Sequence, residues 1–147
     1  MELIFYSLLV SLFWGISPVL HKIIMKRVDT KLTFIINHLF FNLGLLGYTF
    51  YYWKDLKSDF KSVSTQDIIA IGAISIVLSF IPNIIYYNLI NNHDSYLVTA
   101  LINSSPIFTV ALSYLILKEN ITKYSIIGVV LIIIGIYCLT FCQNKVK

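Results

Sequence analysis

The hydrophobic positions of this chain fall into five long runs, over residues 3–25, 32–53, 67–90, 96–117 and 124–142. Each is near the roughly 20 residues that a helix needs to cross a bilayer. The runs are continuous, whereas a membrane β-barrel needs segments of about ten residues that alternate inward and outward. The pattern therefore predicts an all-α membrane protein, a five-transmembrane-helix bundle forming one domain over residues 1–147. The connections at 26–31 and 91–94 are short and polar. The longest, 54–66, sets Leu56, Phe60 and Val63 at helical spacing among Lys and Asp, which fits either a short interfacial helix or a polar loop. Ser64-Thr65-Gln66-Asp67 has the form of a capping box opening the third run. Tyr48, Tyr51, Tyr52 and Trp53 close the second run, and Tyr86, Tyr87 and Tyr96 flank the third connection. That is the placement expected of interfacial aromatic belts.

Composition strengthens the membrane reading. Apolar residues make up 58% of the chain and charged residues 12%, against about 25% charged residues in soluble domains. So little charge does not cover a water-facing surface. The net charge of +4 resides in short clusters between the runs, where anionic lipid head groups, and not nucleic acid, are the natural partner. The first run follows Met1-Glu2 without a basic leader or a small-residue cleavage pattern, so it is expected to stay as an uncleaved membrane segment. Cys138 and Cys142 lie four apart on one helix face with no His nearby in sequence, which argues against zinc. Adjacent turns of one helix also suit a disulfide poorly, and both are read as packing residues. Asn103-Ser104-Ser105 and Asn120-Ile121-Thr122 match the glycosylation pattern, but one is buried in a run and the other touches one. No glycine-rich phosphate loop, metal-spaced cluster or nucleophile–base pair is evident. The sequence thus points away from an enzyme and calls for no cofactor or metal.

The candidate chemistry lies in the polar residues inside the runs. All three prolines, Pro18, Pro82 and Pro106, fall there. Each removes a backbone hydrogen bond that lipid cannot replace, so each is a candidate hinge or a structural kink. Ser75, Ser79 and Asn83 step by four, as do Thr99 and Asn103, and His38 and Asn42. Asn side chains have donors and acceptors to satisfy, which makes Asn42, Asn83 and Asn103 candidates to face a polar pathway. Ser7, Ser11 and Gly15 form a small-residue stripe suited to close helix packing, with Ser17 following. His21 and Lys22 close the first run. Lys22 either snorkels to the interface or holds a positive charge at a cavity mouth, where it suits an anionic solute. His38 is read as a helix–helix hydrogen bond. The acidic residues Glu2, Asp29, Asp55, Asp59, Asp67, Asp94 and Glu119 all lie outside the depths of the runs, so a carboxylate-based proton exchanger has no evident carrier.

The segment TALINSSPIFTVALSYLILKENITKYSIIGVVLIIIGIY, residues 99–137, resembles the closing two helices of a repeat in EamA-type transporters of the drug/metabolite transporter superfamily. The matching residues are Pro106, Leu117-Lys118-Glu119, Thr122, and Gly128 and Gly135 seven apart. LFWGISPVLHK, residues 12–22, is similar to the first helix of that repeat, while the second run matches only in length and hydropathy. The resemblance implies a secondary carrier working by alternating access. Many relatives join two five-helix repeats of inverted topology around the substrate, and this chain carries one. A half-size transporter of a small metabolite or drug-like solute, active as a dimer, is the expectation. In that picture the stretch from Trp14 to Ser17, with Asn42, Asn83, Tyr87 and Asn103, lines or gates the pathway; Tyr87 fits an aromatic belt equally well. Gly128 and Gly135 allow close packing of the fifth helix. A membrane-embedded interaction or assembly protein that keeps the fold without transporting is the alternative.

An odd number of spans puts the termini on opposite faces. Lys54, Lys57, Lys61, Lys118 and Lys123 fall on one face, five in all, and Lys22, Lys26, Arg27, Lys31, Lys145 and Lys147 on the other, six in all. Orientation follows an excess of Lys and Arg on the cytoplasmic side, and here the excess is one. Such a chain is suited to insertion in both senses and to an antiparallel homodimer, with a heterodimer beside a second half-transporter as the other option.

Overall fold

The computed structural model describes residues 2–60 and 62–141. Lys61, Cys142, Lys145 and Lys147, which entered the expectations above, lie outside the described residues. The described chain is all helical: α1 (Glu2–Met25), α2 (Thr30–Tyr51), α3 (Trp53–Asp59), α4 (Thr65–Ser75), α5 (Ile81–Asn92), α6 (Ser95–Ile102), α7 (Ser105–Leu112) and α8 (Lys123–Phe141). Two π-helical turns, Ile76–Phe80 and Ser113–Leu117, complete the set. They extend α4 into α5, and α7 toward the last connection. Five helical stretches are long and apolar enough to cross a membrane: Glu2–Met25, Thr30–Tyr51, Thr65–Asn92, Ser95–Leu117 and Lys123–Phe141.

Helix starts follow local chemistry. The Asp29 carboxylate accepts from the amides of Lys31 and Leu32, at 2.8 and 3.3 Å, and opens α2. The Ser64 hydroxyl accepts from the Asp67 amide at 3.1 Å and donates to the Asp67 carboxylate at 2.6 Å, so the two side chains close on each other at the start of α4. Thr122 does the same for α8, its hydroxyl accepting from the Ser125 amide at 3.1 Å. The 54–66 connection holds the short helix α3, in which Leu56 is the residue drawn partly inward.

Each proline leaves a different mark. Pro18 is buried inside α1, which continues past it. Pro82 follows the π turn directly, and the Ile81 amide donates to Ile76, five residues back. A proline ring clashes with the carbonyl four residues before it and offers that carbonyl no donor. A wider turn just before the proline is one way to relieve that clash. At Pro106 the span breaks instead: α6 ends at Ile102, and Asn103 and Ser104 form a tight turn before α7. Bonds of the i→i−3 kind, from Ser104 to Leu101 at 3.1 Å and from Ile107 to Ser104 at 3.0 Å, bracket the break. The second π turn ends at Lys118, whose φ of 54° is left-handed, and the Glu119 amide closes the end by donating to Ser113 at 3.2 Å.

The residues cluster into two compact units, 19–92 and 1–18 with 93–147, so α1 divides after Pro18. In the first unit α2 packs on α5, and Met25, Thr33, Tyr87 and Ile90 are its buried residues. In the second, α6 and α7 both pack on α8, with Val98 buried. Most other large apolar side chains of the spans are exposed, as helices facing lipid require.

Left-handed backbone costs a residue with a Cβ about 1–2 kcal/mol, part of which glycine returns through its more flexible unfolded state. Lys118→Gly is therefore expected to stabilise the protein by about 0.5–1 kcal/mol, read as a rise in the thermal midpoint in detergent. A fall would show that the Lys118 side chain holds a contact worth more than the strain.

Candidate functional site

The polar residues of the spans meet their first need on their own helices. The Asn42 amide donates to the His38 carbonyl at 2.8 Å, and Asn83 to Ser79 at 2.9 Å. Asn88 donates to Ile84 at 3.0 Å, and Asn92 to Asn88 at 2.9 Å. The Ser75, Thr99 and Thr109 hydroxyls also reach the carbonyl four residues back. These are back-bonds to the main-chain carbonyl one turn earlier. For an asparagine this bond employs one N–H, leaving the second N–H and the amide oxygen for a neighbour, water or solute.

One cluster ties three helices together inside the unit of residues 19–92. Tyr87 of α5 is 4% exposed, which makes it the most enclosed polar aromatic of the spans. Its hydroxyl lies 2.9 Å from His21 Nε2 on α1. The same nitrogen lies 3.4 Å from Asn37 Oδ1 on α2. Phe34 of α2 meets the Tyr87 ring edge-on at 5.4 Å between centroids, and meets Phe80, from the π turn, edge-on at 5.7 Å. His38 lies against Phe34 at 4.1 Å and 6.3 Å from the Tyr87 ring. Its Nδ1 is 2.9 Å from the Phe34 carbonyl. A carbonyl only accepts, so Nδ1 carries the hydrogen there and Nε2 of the neutral ring is an acceptor. His21 precedes the end of α1 by about 6 Å of helix and Tyr87 the end of α5 by about 7.5 Å, while His38 is about 12 Å into α2, at 1.5 Å per residue. The cluster is stacked inward from the membrane face that holds the α1–α2 connection.

Of the pathway candidates, Tyr87 is the one brought into this cluster. Its burial and its bond to His21 set it apart from a lipid-facing belt residue. Asn83 is half-buried, while Asn42 and Asn103 are exposed. Trp14 is 75% exposed and so directed away from its own unit, and Ser17 is half-buried. Ser7 and Ser11 are exposed, and a Cβ built on Gly15, Gly128 or Gly135 meets nothing within 4 Å in this chain. Phe34 and Asn37 escaped the sequence reading. The signal was present, since Phe34, Asn37 and His38 have i, i+3, i+4 spacing and share one face of α2. Among the described residues no group of three or more His, Cys, Asp or Glu could hold a metal ion.

A sequence profile of the EamA-like transporter family matches residues 1–141. The chain belongs to that family. It is a multi-pass membrane protein of a transporter family and not an enzyme. It is also 32% identical over 137 residues to an uncharacterized protein of Methanocaldococcus jannaschii, covering 93% of this chain and 95% of the other. No solved structure matches.

The His21–Tyr87 bond gives a direct test. Tyr87→Phe and His21→Leu are each expected to cost about 1–2 kcal/mol, since each removes a hydrogen bond and the second leaves a buried hydroxyl unpaired. The double variant should fall short of the sum by about 1 kcal/mol. Additive losses in a double-mutant cycle of detergent unfolding would show that the two groups do not interact.

Proposed function

We propose that this chain is half of an alternating-access carrier for a small organic solute, and that two copies inserted in opposite senses form the working unit. Membership of the EamA-like family supports transport. The observation that carries the two-copy reading is the polar surface of the spans. Asn42 and Asn103 are exposed at membrane depth, and Asn42, like Asn83, spends only one N–H on its own helix. Lipid offers the remaining groups nothing. A second repeat across a water-filled pathway satisfies them, as broken helices do around the sites of inverted-repeat carriers. The break at Asn103 and Ser104, before Pro106, is in keeping with this reading.

In this reading Trp14, Ser17, Asn42, Asn83, Tyr87 and Asn103 line or gate the pathway. Pro18, Pro82 and Pro106 are the positions where the helices bend. Ser7, Ser11, Gly15, Gly128 and Gly135 serve packing between copies, where their open surroundings leave room for a partner helix. The near equality of Lys and Arg on the two faces favours dual insertion over a fixed orientation.

Two reporters fused after Lys147, one active only inside the cell and one only outside, should both give strong signal in the same host. Signal from one side alone rejects the antiparallel homodimer and directs the search to an oppositely oriented sister chain. For transport itself, proteoliposomes are preloaded with unlabelled amino acids, nucleosides, sugars and aromatic amines, and counterflow of the labelled compounds is followed. Asn83→Leu and Asn103→Leu should insert and dimerise normally while counterflow falls at least tenfold. Unchanged counterflow would remove both residues from the pathway.

A further inference from the structure

We infer that the solute is uncharged and rich in hydrogen-bonding groups, of the class of sugars, polyols and nucleosides, and that His38, Asn42 and Asn83 bind it at the middle of the bilayer. The inference rests on the transport reading above, to which it adds the class of solute and a binding residue, His38.

All three residues lie in the unit of residues 19–92, where α2 packs on α5. His38 and Asn42 are one turn apart and share a face of α2, and Asn83 stands one turn before Tyr87 on α5. The Tyr87 ring lies 6.3 Å from the His38 ring, so His38 is on the side of α2 that Tyr87 approaches. The polar atoms of the three are only partly spent. Asn42 and Asn83 each give one N–H to the carbonyl a turn earlier, and among the described residues neither amide oxygen is engaged. His38 sets Nδ1 against the Phe34 carbonyl at 2.9 Å, which leaves Nε2 as the remaining polar atom of the ring.

Depth groups these side chains. His38 is eight residues from the start of α2 and Asn42 twelve, while Asn83 is nine from the end of α5. At 1.5 Å per residue they lie about 12, 18 and 13.5 Å from the face that holds the α1–α2 connection. The hydrocarbon core is about 30 Å thick, so the layer is centred near its mid-plane. Inverting a copy carries a group from about 12 to about 18 Å, which brings His38 of one copy level with Asn42 of the other. The two Asn83 side chains then differ in depth by about 3 Å. Inversion leaves the layer in place, and oppositely inserted copies offer the same groups to one solute.

Fixed charge stays away from that level. The Asp, Glu, Lys and Arg residues of the five spans are Glu2, Lys22, Lys31, Asp67 and Lys123, each within one turn of a span end. A charge at the bilayer centre is costly unless a counter-charge meets it. A hydroxyl or a neutral amide asks only for hydrogen bonds, and those are what two asparagines and an imidazole edge supply.

The test uses the full chain in proteoliposomes and compares probes that differ chiefly in charge: uridine with uridine monophosphate, and glucose with glucose 6-phosphate and glucosamine. Counterflow of at least one uncharged compound is expected, at a rate at least tenfold above its charged counterparts. His38→Phe, which keeps a ring and removes both nitrogens, and Asn42→Leu should each raise KM for that compound at least tenfold. Asn42→Asp should turn the preference toward glucosamine, an outcome that a damaged fold does not produce. Preferred exchange of a charged compound, amino acids included, overturns the inference while transport stands. Uncharged exchange with KM and preference unchanged in all three variants removes His38 and Asn42 from the site and overturns the binding layer. If nothing moves through the wild type, charged or uncharged, the transport reading fails and takes this inference with it.

Discussion

The rest of this structure depends on one constraint: inside a bilayer the backbone and every polar side chain must find their hydrogen bonds within protein. An α-helix meets it for the main chain without help. Three prolines each withdraw one donor, and the fold answers in three ways: burial around Pro18, a widened turn before Pro82 and a break before Pro106. The polar side chains obey the same rule. Ser75, Thr99, Thr109, Asn42, Asn83 and Asn88 turn back onto the carbonyl one turn earlier, so these residues are half-satisfied before any other helix arrives. What is left over after that accounting is concentrated on asparagine.

Tyr87 illustrates how a few groups organise a membrane unit that has hardly any interior. Burial of apolar surface gives little drive to helix association in lipid, because lipid is as apolar as leucine; packing and polar contacts remain. A phenol fits both demands. Its ring meets Phe34 and His21 edge-on, and its hydroxyl reaches an imidazole on a third helix. The hydrogen bond fixes which parts of α1 and α2 face α5, and the neighbouring aromatic contacts hold that choice.

Much of the fold was legible in the sequence because length and hydropathy alone decide how many helices can span a bilayer. The five runs and the capping role of Ser64 follow from such local rules. The site was only partly legible. Tyr87 carried two readings that hydropathy could not separate, since a tyrosine near the end of a span serves a lipid interface and a buried contact equally well. His21 and Asn37 are sixteen residues apart on different helices, and nothing local says that they meet. The break at Asn103 was signalled by Pro106, whereas the π turn before Pro82 was not, because the two prolines stand in similar apolar company. Lys118 was no more visible, since lysine carries none of glycine's signal for a left-handed turn.

The π turn at Ile76–Phe80 can be viewed as a phase shift written into the third span. Closing a turn over five residues in place of four accommodates one extra residue, so everything downstream is set about 100° from where an unbroken α-helix would put it. Tyr87 owes its heading to that offset. A relative lacking one residue between Ser75 and Pro82 could keep every side chain named here and still present a different face of α5 to α1 and α2. A one-residue insertion or deletion at that turn therefore exchanges the whole set of inward residues downstream at a stroke, which no single substitution does.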